Sequence, residues 1–132
     1  MVSVTVVYQS FNQDKFIHKS LEGILNQTHK PEEIIIIDDC SDDISANILL
    51  DYERKYKNIE LIINKKNKGT ASNSNFGIDN AKGDLIYFAA ADDYAFPTLL
   101  EEAVKAFRLN KNLGLFSADI NTINSKGEII EE

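Results

Sequence analysis

Residues Glu33 to Asp38 read EIIIID, and this run of four isoleucines constrains the fold more than any other feature of the chain. A strand with one solvated face alternates apolar and polar residues. This run has no polar face, so it suits a strand buried on both sides, as in the middle of a parallel sheet. Around it the sequence alternates short β-rich runs with amphipathic stretches. Val2 to Tyr8 is rich in valine and reads as a first strand. Asn12 and Asp14 offer capping oxygens to a helix whose face is Ile17, Leu21, Ile24 and Leu25. Pro31 ends that unit. Ser41 is expected to cap a second helix, with Asp42 and Asp43 in its first turn and Ile44, Ile48, Leu49 and Tyr52 as its buried stripe. Ile59 to Ile63 is a third strand, and Asn67-Lys68-Gly69 a loop. Ala71 to Ala81 is a short helix with Phe76 and Ile78 in the core, closed by Gly83. Leu85 to Ala89 is a fourth strand. Pro97 fits the first turn of a helix with the face Leu100, Ala103, Val104 and Phe107. Leu113 to Ala118 reads as a fifth strand. Ser125-Lys126-Gly127 signals a turn, and Glu128 to Glu131 a last short strand.

This alternation predicts an α/β fold with a mostly parallel sheet and helices on both faces. At 132 residues the chain fits one domain with a real core. Its charge excludes some classes of partner. A net charge of -7 gives no electrostatic reason to bind nucleic acid, and a polyanionic ligand needs local help from a metal, a helix end or a few cations. No apolar run approaches the roughly 20 residues of a membrane span. The start lacks the basic and apolar regions of a signal peptide, so the expected location is the cytoplasm. The single cysteine, Cys40, excludes an internal disulfide framework and a cysteine-based zinc site. His18 and His29 are too far apart for a two-histidine metal helix. The six glycines form neither G-x-G-x-x-G nor a Walker A loop.

In an open parallel sheet, ligands bind beyond the carboxyl ends of the strands. That rule selects Gln9 to Asn12 after the first strand, Asp38 to Ser41 after the second, and Asp92-Asp93 after the fourth. Two carboxylate pairs on one edge repel each other unless a cation or hydrogen-bond donors lie between them. Either pair also has a plain structural use as a helix cap. Phe11 is equally suited to the core, and Cys40 to a small filler without nearby activating cations.

Three segments in order, VSVTVVYQSFN, SLEGILNQTHKPEEIIIIDDCSDD and NKGTASNSNFGIDNAKGDLIYFAAADDYAFP, resemble the nucleotide-sugar-binding half of family 2 glycosyltransferases, which have the Rossmann-like GT-A fold. The resemblance implies a donor domain spanning 1–132, truncated before the acceptor-binding half. It implies that Phe11, ahead of Asn12 and beside Ser10, stacks near a nucleotide base. The D-D-G-S loop of such enzymes matches Asp38, Asp39, Cys40 and Ser41, which gives Asp39 the role of accepting from the base. A carboxylate suits an imide N–H, so UDP-sugars are favoured, with dTDP-sugars next. The N-x-G loop matches Asn67, Lys68 and Gly69 and passes close to the nucleotide. The last aspartate of the D-x-D motif matches Asp92, which would bind Mg²⁺ or Mn²⁺, with Asp93 acting through water.

The chain departs from the family pattern at three positions: Ala90 replaces the first aspartate of D-x-D, Ser74 replaces a common arginine, and Gln9 a common proline. The general base of the inverting reaction is expected in the acceptor half, outside this chain, and Asp119 is not assigned that role. The acceptor is a hydroxyl of unknown identity, in a pathway such as surface-polysaccharide synthesis. The full-length protein would sit in the cytoplasm or peripherally at the inner face of the membrane. A missing half would expose an apolar edge near the C-terminal segment and favour self-association. A non-catalytic module of the same fold is the alternative. A phosphorylated receiver-like domain is a third, though it needs an acidic pair after the first strand, where Gln9-Ser10 stands.

Overall fold

The computed structural model describes residues 1–131. The order is β1 (Val4–Ser10), α1 (Asp14–Leu25), β2 (Glu33–Asp38), α2 (Ser45–Lys55), β3 (Ile59–Ile63), α3 (Thr70–Asn80), β4 (Leu85–Ala90), α4 (Leu99–Leu109), β5 (Thr122–Ile123) and β6 (Ile129–Glu131). The chain divides into two compact units, Met1–Glu101 and a second beginning at Glu102.

In the first unit four strands form a sheet in the order β3-β2-β1-β4, and each neighbouring pair is parallel. The isoleucine strand is therefore interior, and Ile34 to Ile37 are each no more than 1% exposed. β1 holds the other interior place, with Val6, Val7 and Tyr8 fully buried. Successive side chains of β1 point to opposite faces. Val7 meets α3, and Tyr8 lies in the layer of Ser20 on α1 and Tyr52 on α2. Helices thus cover both faces, as the sequence predicts. Ile17, Leu21 and Ile24 form the buried face of α1. Burying such side chains is worth roughly 2 kcal/mol each.

Several local expectations differ from the structure. α2 begins at Ser45, four residues beyond Ser41; its cap residue Ile44 makes no side-chain bond, and Asp43 Oδ1 accepts from Ser45 N–H at 2.8 Å. Ser41 instead donates to Asp38, as described below. Ile44 consequently precedes the helix and is 58% exposed, while Leu49 and Tyr52 are buried. Asn12 does not cap α1; Gln13 holds the cap position with no side-chain bond. Phe76 and Ile78 are exposed rather than in the core. The face that α3 turns to the sheet is Asn73 and Gly77. A Cβ on Gly77 would lie 2.4 Å from Val7 Cγ1. The helix sits so close that only glycine fits there, and its larger residues are turned outward.

In the second unit the expected strand Leu113 to Ala118 does not form; the segment is irregular and Leu115 is exposed. An apolar β-prone run becomes a strand only where another strand completes its ladder. Pairing goes instead to β5 and β6, an antiparallel ribbon. Its turn passes through Gly127 at φ +81°, in the left-handed region that favours glycine. The predicted turn and final short strand are both present.

Candidate functional site

All four parallel strands point their carboxyl ends to one edge. There the loop after β1 and the loop after β2 are stitched together. Asp39 N–H donates to the Ser10 carbonyl at 2.8 Å. Asn12 N–H donates to Ser41 Oγ at 2.9 Å, and Asn12 Oδ1 accepts from Asp42 N–H at 2.8 Å. Gln13 N–H reaches Ser45 Oγ, and Asp14 N–H reaches Asp43 Oδ2. Ser41 donates to Asp38 through its hydroxyl at 2.6 Å and its N–H at 3.0 Å, so both Asp38 oxygens are occupied. Asn12 and Cys40 have positive φ, 53° and 69°, which lets both loops turn sharply. Asparagine tolerates that region; cysteine is strained there. Phe11 sits on this stitched support with its ring half-exposed. Ser10 is buried, and its hydroxyl has no protein partner.

Asp39 is 5% exposed yet collects donors from three directions. Its Oδ1 accepts from Asn64 Nδ2 and from Lys68 N–H, both at 2.8 Å. Its Oδ2 accepts from Gly69 N–H at 2.9 Å. Burial by itself would raise the pKa of this carboxyl. The bonds from Lys68, Asn64, Gly69 and Asn73 outweigh burial and hold it below the usual carboxylate range. The same carboxylate is thus the fixed point of the Asn67–Gly69 loop. Gly69, at φ +80°, then starts α3.

The end of β4 is built differently. Asp92 and Asp93 are exposed, and neither side chain takes part in an ion pair or hydrogen bond among the described residues. Partial burial, and then the charge of Asp92, raise the pKa of Asp93. Asp92 and Asp93 do not cap α4, which begins only at Leu99 and whose Leu100 N–H donates to Gln27 Oε1 at 3.0 Å. Strands β2 and β4 flank β1, so their ends are roughly 10 Å apart at normal strand spacing. Asp39 is already engaged by its own chain and Asp92 is not, so the two ends of this edge offer different chemistry to a ligand that spans them. Among the described residues no three His, Cys, Asp or Glu side chains converge to hold a metal. Asp92 and Asp93 do suit the usual Mg²⁺ arrangement, in which one or two carboxylates share the ion with phosphate oxygens and water.

Two positions noted as departures meet in space. Gln9 Nε2 donates to Ser74 Oγ at 2.8 Å, tying the end of β1 to α3. Asn64 and Asn73 were not singled out from the sequence. Isolated asparagines carry no periodic signal, and only the folded chain brings them to Asp39.

A larger concavity, about 390 Å³, lies at the opposite end of the strands, lined by Thr5, Glu33, Lys57, Lys82 and Gly83 among others. Its most buried carboxylate is already engaged by the chain. Glu33 accepts from Thr5 Oγ1 at 2.8 Å and Lys82 N–H at 3.0 Å, and pairs with Lys82 Nζ at 3.1 Å. The carboxyl edge, with an exposed aromatic and two unpaired carboxylates, is the better candidate.

The sequence of residues 5–124 matches the profile of Glycosyl transferase family 2. The chain belongs to that family. A glycosyltransferase of Methanocaldococcus jannaschii, itself uncharacterised, is 32% identical over 98% of this chain. A Bacillus subtilis glycosyltransferase named for teichuronic acid biosynthesis is 33% identical over 68% of it. The chain spans 45% and 36% of the lengths of these two relatives. Among solved structures, S. aureus TarS 1-349 in complex with UDP-GlcNAc superposes with a TM-score of 0.73 at 25% identity, over 81% of this chain and 31% of that one. The family 2 fold is thus shown by sequence and by structure. No helix among the described residues is long and apolar enough to cross a membrane.

Proposed function

We propose that this chain is the donor-binding part of a family 2 glycosyltransferase, and that it holds a nucleoside-diphosphate sugar along the carboxyl edge of the sheet. The arrangement of that edge carries the reading: an exposed Phe11 on a rigid support, Asp39 beside it, and free carboxylates two strands away. Phe11 would stack on the base, with Ser10 and Asn12 shaping its support and Gly69 closing the loop above. Asp39 keeps acceptor capacity on Oδ2, since one of its lone pairs serves Gly69. An imide N–H fits that position, which favours UDP, and dTDP next. The UDP-GlcNAc complex of the TarS neighbour supports the same class of ligand.

Asp92, with Asp93 through water, would hold Mg²⁺ or Mn²⁺ against the diphosphate. The bound ion would stabilise the negative charge that grows on the leaving diphosphate. This chain's residues bind and orient the donor. Inverting transfer to a hydroxyl, and the base that removes its proton, belong to an acceptor part outside the chain. The teichuronic acid relative supports a role in surface-polysaccharide synthesis. The protein would then work in the cytoplasm, in solution or at the inner face of the membrane.

Thermal unfolding with UDP, dTDP, GDP and CMP, each with and without Mn²⁺, tests the reading. A ligand at about 100 times its dissociation constant adds roughly 2.7 kcal/mol. That shifts the midpoint of a domain this size by several degrees. A shift with UDP that grows with Mn²⁺ is expected. Ala90, which leaves the metal one carboxylate fewer, favours a second reading: a non-catalytic module of the same fold. No shift with any nucleotide would favour that module.

A further inference from the structure

The bonds around Asp39 have a direction. Its acceptors are filled chiefly by the chain itself, and the donors come from the segment that follows β3. Asn64 Nδ2 bonds both Asp39 Oδ1, at 2.8 Å, and Asn73 Oδ1, at 2.9 Å. Asn64 N–H donates to the Asp38 carbonyl at 2.9 Å, and Asn73 N–H to the Gly69 carbonyl at 3.2 Å. The three side chains thus join the end of β2, the end of β3 and the first turn of α3. Asn64 is 7% exposed and Asn73 3%, too buried to touch a ligand.

The segment they hold is unusual for this protein. In a chain of net charge -7, residues 65–68 read KKNK, and all four are exposed. They lie at an edge that also carries Asp42, Asp43, Asp92 and Asp93. Apolar packing does little to fix the loop. Beneath it lies a cavity of about 100 Å³, lined by Asn64, Lys68, Asn73, Ile37, Ile62 and Phe76 among others. The conformation is therefore set by the carboxylate and the two amides, supported by the left-handed Gly69.

We propose that Asp39, Asn64 and Asn73 form a buried anchor that fixes the 65–69 loop, and that Asn64 and Asn73 are positioning residues for the nucleoside diphosphate. This rests on the donor-binding reading above. Asp39 has two tasks, one toward the base and one toward the loop, and substituting it cannot separate them. Asn73 acts on the loop only through Asn64 and Asp39, and substituting it leaves the Asp39 carboxylate in place. The loop brings three lysines to the edge where a diphosphate would otherwise meet carboxylates.

The test compares the parent chain with Asn73→Ala, Gly69→Ala and Lys68→Ala. Calorimetry measures UDP and uridine binding, and amide hydrogen exchange is read at Lys68 and Gly69. In Asn73→Ala, exchange at both amides is expected to accelerate at least tenfold. UDP affinity should fall at least fivefold, and uridine affinity by less. Gly69→Ala disturbs the loop through its backbone, since a Cβ there meets nothing within 4 Å. It should reproduce both effects, and it decides the matter if Asn73→Ala fails to fold. Lys68→Ala keeps its N–H, so exchange should stay protected while UDP binding weakens and loses part of its salt dependence. Unchanged exchange in Asn73→Ala would overturn the anchor. Faster exchange with UDP affinity within twofold of the parent would overturn the positioning role. A parent chain that binds no UDP would overturn the donor-binding reading and with it the loop's nucleotide role. The exchange data would then judge the anchor separately.

Discussion

The carboxylates after β2 and those after β4 have the same chemistry and opposite surroundings. Asp38 and Asp39 are buried, and hydrogen bonds from their own chain occupy them on all four oxygens. Asp92 and Asp93 are exposed, without protein partners among the described residues, and stand against each other's charge. The first pair holds the structure together and the second is left for something else. A carboxylate buried with its donors is costly to remove, because every donor is then orphaned. An exposed pair is nearly free to remove, so its loss should change binding, if it has a ligand, without changing the fold.

The largest effect that would break this contrast is expected at Asp39. Asp39→Ala strands Asn64 Nδ2 and the N–H groups of Lys68 and Gly69. It should cost about 3 kcal/mol of stability in urea unfolding. A loss under about 1 kcal/mol would show that water replaces the carboxylate easily, and the two pairs would no longer differ in kind.

Asp92→Ala should be the mirror image. Its stability should stay within about 0.5 kcal/mol of the parent, as for most exposed sites. UDP affinity in Mn²⁺ should fall about tenfold or more, some 1.4 kcal/mol. Equal binding with and without Asp92 would remove the metal role. A smaller effect is expected from Cys40→Gly. Relief of the φ 69° backbone should stabilise the fold by roughly 0.5–1 kcal/mol, after the entropy cost of glycine. Destabilisation instead would show that the thiol's packing outweighs the backbone strain.

The acid limb of stability gives the smallest and most specific signature. Asp39 titrates in the folded chain below the roughly 3.9 of a free aspartate. Its contribution is therefore complete above that value and is lost as pH falls through the lower folded one. Asp93 has the opposite sign, because its folded value is raised. It favours the folded state below about pH 4 and loses that advantage as pH rises through the folded value. Removing Asp92 should lessen that loss, flattening the curve above pH 4, while leaving the Asp39 limb in place. Unfolding curves at several pH values for the parent and Asp92→Ala check both signs.

Much of the first unit was legible because its signals are local and repeated. Burial on both faces leaves an unbroken isoleucine run in β2, and the short, mostly apolar run of the edge strand β3 is bounded by polar residues, so both strands have the bounds read from the sequence. The candidate edge followed from strand polarity alone. Two kinds of feature were not legible. Phe76 and Ile78 look like core residues, but Gly77 against Val7 sets how α3 lies and turns them outward. Leu113 to Ala118 has strand composition, yet a strand also needs a partner, which no local pattern reports. Ser41 looks like a helix cap, but its hydroxyl oxygen accepts from Asn12 N–H of the neighbouring loop while its proton goes to Asp38.

The sequence by itself determined the fold class and the family, and it nominated the carboxyl edge as the candidate site. Hydrophobic period, strand polarity and motif order are properties of neighbouring residues and survive in one dimension. Only the tertiary structure decided which carboxylates are spent and which are free. Asp39 is 25 residues from Asn64 and about 30 from Gly69 along the chain, and its donors exist only once β2 and β3 pair and α3 docks. Hydrogen bonds act over about 3 Å, so their partners are set by the packing of distant segments and by no local pattern.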